Sequence, residues 1–245
     1  MSLSAVNRQY ALPNPLMKTW GADHGETNNV NYYQSYNSGL KTNVNTNTLY
    51  GASMTAIPRT TTNNINERQR SVCNLNYIEY HMSIQSTTGT SPMQCNVAVI
   101  SPKKTGALLS PAGQTIFAQF FRSPGSENTR FMDFSSTTST LDKHLSPINS
   151  DRFRVLSHER FLLNPKYPNT SDGMSDEGTN FKHLHKRIPV GKQVRFGDID
   201  NEPLSLPIYL VYWFTNYQAN TDVVLSAVSI NVKTGGAFKE LCCNS

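Results

Sequence analysis

Charge is scarce in this chain. Lys, Arg, Asp and Glu make up 16% of its 245 residues, against roughly 25% in ordinary soluble domains. A surface so lightly charged suits broad contacts between subunits, where every buried ion would have to be desolvated. Cysteine is scarce too. The four residues, Cys73, Cys95, Cys242 and Cys243, form no CxxC pair. Cys73 and Cys95 are expected as free buried thiols in a reducing compartment. Adjacent cysteines rarely bond to each other because the ring is strained, so an intersubunit disulfide is the alternative use for Cys242 and Cys243. Long apolar runs are missing: LPIYLVYWF, the best of them, falls short of the ~20 residues a membrane helix needs. The first residues, MSLSAVNRQYALPNP, hold no secretory apolar region, no lipidation signal and no arginine-rich arm. These absences predict a soluble protein with no membrane insertion. No GxSxG, HExxH or Walker sequence occurs, so the common hydrolytic and nucleotide-binding motifs are excluded. No stretch carries a convincing helical period.

Polarity comes instead from Asn, Ser and Thr, which favour turns, loops and exposed strands over helices. Hydrophobic residues are 37% and aromatics 10%, enough for a packed interior despite a mean hydropathy of −0.46. The net charge of +5 and pI near 9.0 are compatible with nucleic acid or another acidic surface. The length fits one large β-domain that needs no cross-links.

Residues 1–70 read as an irregular extended arm, rich in Asn and Thr but dotted with Tyr10, Trp20, Tyr32, Tyr33, Tyr36 and Tyr50. True disorder is poor in aromatics, so this arm is expected to pack on the core or on a neighbouring subunit. The β-core, residues 71–245, is expected to begin with SVCNLNYIEYHMSIQS. There Asn76, Ile78, Tyr80, Met82 and Ile84 should point inward, and Leu75, Tyr77, Glu79, His81 and Ser83 outward. MQCNVAVIS and QTIFAQFFRS follow as strands. Residues 123–150 form a long connection of the kind that is functional or interface-forming. Arg152–Leu163, Phe181–Val190, Lys192–Phe196, Leu206–Tyr217 and Val223–Val232 complete about eight strands. Leu206–Tyr217 is apolar on both rows and should be central. The pattern predicts an all-β fold, a single jelly-roll sandwich of two sheets.

Three constellations could carry chemistry. The first is cationic: Arg152, Arg154, Arg160, Lys182, Lys186, Arg187, Lys192 and Arg195. Alternation in RFRVLSHERFLL places Arg152, Arg154 and Arg160 on one face, and Lys182 and Lys186 share a face of another strand. Such residues can neutralise phosphates, so Arg152, Arg154, Arg160, Lys182, Lys186, Lys192 and Arg195 are the candidate nucleic-acid contacts. The second is His183-x-His185, whose imidazoles share a face. The following Lys186–Val190 stretch offers no carboxylate and two cations, so no metal site is expected there. The third is acidic: Asp172, Asp176 and Glu177, then Asp198, Asp200 and Glu202, better read as surface turns than as a calcium site.

The Arg-Phe strand, the polar loop, FKHLHKRIPVGKQVRF, LPIYLVYWFTNY and VVLSAVSINVKTGGAFKEL together resemble the C-terminal half of circovirus-like capsid proteins, the coat proteins of small circular single-stranded DNA viruses. The resemblance spans residues 150–240. It implies a structural, non-enzymatic jelly roll without a cofactor, assembling as a homo-oligomer into a small icosahedral (T=1) shell. It also implies a single-stranded DNA genome inside, a possible host-surface receptor, and location in the virion, with host cytoplasm and nucleus during assembly. That family typically begins with an arginine-rich DNA-binding arm, which this sequence lacks. The alternative for the same pattern is a carbohydrate-binding, lectin- or adhesin-like module stacking sugars on Tyr167 or Tyr217. A cupin-like metalloenzyme is disfavoured by the missing carboxylate.

Overall fold

Apolar and polar residues alternate along Val72–Ser86, and its burial alternates with them, as a strand with one face on a core requires. The alternation slips once. Leu75 pairs with Lys192 and Tyr77 with Pro189, leaving Asn76 unpaired in a bulge. Cys73 and Leu75 before the bulge, and Ile78, Tyr80, Met82 and Ile84 after it, therefore all point inward, which corrects the expected outward place of Leu75 and inward place of Asn76.

The fold was analysed in a computed structural model, which describes residues 30–41, 48–59, 67–86, 92–103, 119–123, 131–134, 138–164, 180–197, 200–216 and 228–240. The strands are β1 Asn31–Lys41, β2 Tyr50–Ser53, β3 Val72–Ser86, β4 Met93–Pro102, β5 Phe121–Arg122, β6 Phe131–Met132, β7 Phe153–Leu163, β8 Phe181–Arg195, β9 Tyr209–Asn216 and β10 Val228–Glu240. Among the described residues one short helix, α1, covers Thr140–Leu145. The first sheet has the order β1-β10-β3-β8 and the second β2-β9-β4-β7; β5 and β6 pair by themselves. Among the eight long strands the first pairs with the last, the second with the next to last, and so inward to β4 with β7. All these pairs are antiparallel. This nested pairing is a jelly roll.

Two apolar clusters hold it. The larger lies between the sheets and includes Ile78, Tyr80, Met82, Val97, Val99, Leu210, Phe214, Ile230 and Phe238. The second lies on the outer side of the β2-β9-β4-β7 sheet. There Phe120, Phe121, Phe134 and Ile148, from the long connection between β4 and β7, close with Phe153 of β7 over Ala98, Val211 and Trp213. Both faces of β9 are thus covered, and Tyr209–Thr215 is buried throughout. Cys73 and Cys95 are free and buried; burial pushes the Cys73 thiol up to about 12 and Cys95 well above its ordinary value. Cys242 and Cys243 lie outside the described residues.

Several segments differ from their sequence reading. Part of the expected irregular arm is sheet: β1 pairs with β10 along its whole length and β2 with β9. Tyr33 is what ties β1 in, its hydroxyl donating to the Met54 carbonyl at 2.5 Å. Strand β10 takes up the expected Val223–Val232 strand from Val228, residues 223–227 lying outside the described residues, and runs on through Gly235 and Gly236. A glycine pair normally signals a turn. Here a Cβ on Gly235 would sit 2.6 Å from the Tyr33 carbonyl oxygen, and one on Gly236 would strike that of Tyr77. The pair is needed because the chain threads between β1 and β3. The two strands expected around Gly191 are one strand, β8; Gly191 adopts φ +57 at the bulge opposite Asn76. A helix was not expected, yet Ser139 caps α1 by accepting from the Asp142 amide at 3.0 Å. Of the expected QTIFAQFFRS strand only Phe121–Arg122 is strand within the described residues.

Loops are fastened by Arg68, which is wholly buried. Its Nε donates to the Ile57 carbonyl (3.2 Å), Nη1 to that of Arg70 (3.0 Å), and Nη2 to those of Gly197 (3.1 Å) and Asp200. Its guanidinium lies over the Phe196 ring, 4.3 Å from the centroid. No described helix is long and apolar enough to cross a membrane.

Candidate nucleic-acid interface

Simple alternation along β7 fails at Leu156. Val99 pairs with Ser157 and Ile100 with Val155, so Leu156 is a bulge residue. Parity reverses there. Arg160, paired with Asn96, lies on the outer row with His158, which tilts against Trp213 at 5.5 Å between centroids. Arg154, paired with Ser101, falls on the opposite row with Ser157 and Glu159. Arg152 sits in the turn before the strand. The expected single face of Arg152, Arg154 and Arg160 is therefore corrected: the three arginines lie in three places. Arg160 lies close enough to α1 to add to burial in holding His144 below its ordinary range. It acts likewise on His158, which burial chiefly pushes down to about 4.

Strand β8 keeps its lysines together. Lys182, Lys186 and Lys192 share the row of Leu184, Ile188 and Val194, whose apolar members enter the core between the sheets. At the sheet edge this row's cations emerge beside β7. Lys186 Nζ meets Glu159 Oε1 at 3.0 Å and bridges the two sheets. The β7–β8 edge thus holds Arg154, Lys182, Lys186 and Lys192, with Arg154, Lys182 and Lys192 exposed. Arg195 belongs to the other row of β8 and is exposed on the outer face of the first sheet.

That outer face carries a second polar group which sequence reading only half found. His81 stands opposite His185, and the rings stack 4.0 Å apart at 13°. Lys233 of β10 pairs with His81 from the other side. Glu79 lies one step along β3 and receives Arg187, whose Nε and Nη2 both donate to Oε2 at 3.0 and 2.9 Å. The Arg187 guanidinium also covers the Tyr77 ring at 4.2 Å. Burial, then His185, Lys233 and His183, hold His81 below the ordinary histidine range, with Glu79 opposing. The signal for Glu79 and His81 was present, since both were assigned to the outward row of β3. Their partners on β8 and β10 depend on strand order, which alternation does not encode.

Of the acidic set, Asp172, Asp176, Glu177 and Asp198 lie outside the described residues, as do Tyr167 and Tyr217. Glu202 accepts from the Ser53 hydroxyl at 2.8 Å, and burial raises its carboxyl above the usual range. Asp200 contributes its carbonyl to Arg68.

No family model matches the chain, and no curated protein matches it in sequence. Among solved structures, one titled Desmodium yellow mottle tymovirus is similar over 89% of this chain and 91% of its own, at 9% identity and a TM-score of 0.34.

Proposed function

We propose that the chain is a viral capsid protein. It self-assembles into a small icosahedral (T=1) shell around a single-stranded DNA genome, and acts by structure rather than catalysis. The observation that carries this reading is the nested jelly-roll pairing of β1 with β10 through β4 with β7. Jelly rolls serve as capsid, lectin and cupin domains. A cupin-like enzyme would need ligands pointing between the sheets, and that space is filled by apolar side chains. What favours a capsid is the strand pattern of residues 150–240, which resembles circovirus-like coat proteins, with a surface low in charge and cations gathered at the β7–β8 edge. In this reading the loops bury surface against neighbours, while β1 and β2 complete the chain's own sheets. Arg154, Lys182 and Lys192, joined by Arg195 on the adjoining face, neutralise part of the genome. Arg152 and Arg160 stand apart and contribute less. The protein would reside in the virion, passing through host cytoplasm and nucleus during assembly, with a host-surface receptor as a further partner.

Electron microscopy of the purified chain tests this, followed by nuclease digestion of whatever the particles hold. Closed shells with contents sensitive to DNase but not to RNase are expected. RNA contents would refute the DNA assignment, and absence of particles would refute the capsid reading.

A further inference from the structure

The pair His183-x-His185 lacked a carboxylate along its own strand. The sheet supplies one from the neighbouring strand. His81 stands opposite His185, and Glu79 lies one step along the same outward row of β3. One ligand atom from each of Glu79, His81 and His185 lies within 4.8 Å of the other two. We propose that these three side chains form a binding site for a divalent transition-metal ion, with Zn2+ the best fit, on the outer face of the β1-β10-β3-β8 sheet.

The donor set is the first support. Two imidazole nitrogens and one carboxylate oxygen are a familiar borderline set for zinc, leaving a fourth tetrahedral position open. Bonds of about 2.0–2.1 Å put tetrahedral ligand atoms roughly 3.4 Å apart. The three atoms must therefore draw in by up to about 1.4 Å, which rotation of partly exposed side chains provides. The backbone beneath them is fixed by the β3–β8 pairing, so little else has to move.

The neighbouring cations are the main objection, and the geometry limits it. Both Arg187 donors go to Oε2 of Glu79, so Oε1 is the oxygen left for a metal. The guanidinium leans over Tyr77, the partner of Pro189, away from the His185 end of the strand. Lys233 remains on the far flank of His81. Its charge weakens metal binding but favours an anion or hydroxide in the open position. A recess of 350 Å³ adjoins His81 on that side, lined also by Ser83, His183, Asn231 and Lys233, with room for such a ligand. The two histidines of the HxH pair thus divide: His185 binds the metal and His183 lines the recess. This inference does not depend on the chain forming a shell.

The test uses the full chain. Zn2+ is titrated by calorimetry and Co2+ by its visible ligand-field absorption. One equivalent per chain is expected. His81→Ala, His185→Ala and Glu79→Gln should each weaken binding at least about tenfold, and His183→Ala should leave it within about twofold. Absence of saturable uptake by the folded wild type would overturn the proposal. So would binding that survives any of the three ligand substitutions, or that disappears with His183. Wild-type thermal unfolding gives a readout that needs no variant: Zn2+ should raise Tm and EDTA should reverse the rise, whereas no change at saturating Zn2+ would also overturn it.

Discussion

Arg68→Met tests the packing account at its most connected residue. The substitution keeps a flexible, unbranched stem and removes every donor. The carbonyls of Ile57, Arg70, Gly197 and Asp200 then lose a charged partner, and Phe196 loses its stacked guanidinium. Hydrogen bonds to a charged group are worth about 1.5–3 kcal/mol each. They do not add, and the variant also escapes the cost of keeping a cation dry. The Ile57 carbonyl decides the sign, because it stays behind buried, whereas the Arg70, Gly197 and Asp200 carbonyls belong to half-buried or exposed residues. A net loss of about 2–3 kcal/mol follows. Arg68→Lys keeps the charge, but three donors radiating from one nitrogen cannot reach carbonyls spread around a planar fork. It should lose roughly half as much. Urea unfolding of unassembled protein measures both, as a fall in midpoint at constant slope. A Met variant within about 1 kcal/mol of wild type would refute the clamp, since the carbonyls would then be satisfied without it.

Leu210 is wholly buried between the sheets, so Leu210→Ala should cost about 2–5 kcal/mol; a thermal melt within about a degree of wild type would contradict its place in the core. His158 is depressed to about 4, mainly by burial and then by Arg160. Its folded form prefers to be neutral, so its contribution is complete above the unfolded value of about 6.5 and is lost as pH falls from there toward 4. Allowing for its partial exposure, the loss is about 1–2 kcal/mol. His158→Gln should flatten the pH dependence of unfolding between pH 7 and 4.5 by that amount, and an unchanged slope would refute it. Arg154→Gln, Lys182→Gln and Lys192→Gln together should lower the log–log salt slope of single-stranded DNA binding by about 0.7 per lost phosphate contact. Lys186, held by Glu159, is left in place. An unchanged slope would show that these side chains touch no phosphate.

Strand identity was legible wherever alternation is local. The inward row of Ile78, Tyr80, Met82 and Ile84 and the double burial of Tyr209–Thr215 follow from sequence period alone. Failures came where one residue changes the phase. The unpaired Leu156 separates Arg154 from Arg160, and no composition rule marks that bulge. Gly235 and Gly236 look like a turn until β1 and β3 are known to flank them. β1 went unread because its sequence is rich in Asn, Ser and Tyr, and Tyr33 is the buried residue among its described side chains. The candidate sites were half legible for the same reason. Glu79 sat on a correctly assigned outward row and His185 on a face shared with His183, but their meeting depends on β3 lying beside β8, a pairing of distant segments.

The central claim is closed assembly, and the mass of the purified chain in solution tests it most directly. Light scattering behind size-exclusion chromatography, across salt and protein concentration, should give one discrete particle many times the 27.4 kDa chain mass, with no ladder of open intermediates. A monodisperse 27.4 kDa monomer under all those conditions would contradict the account.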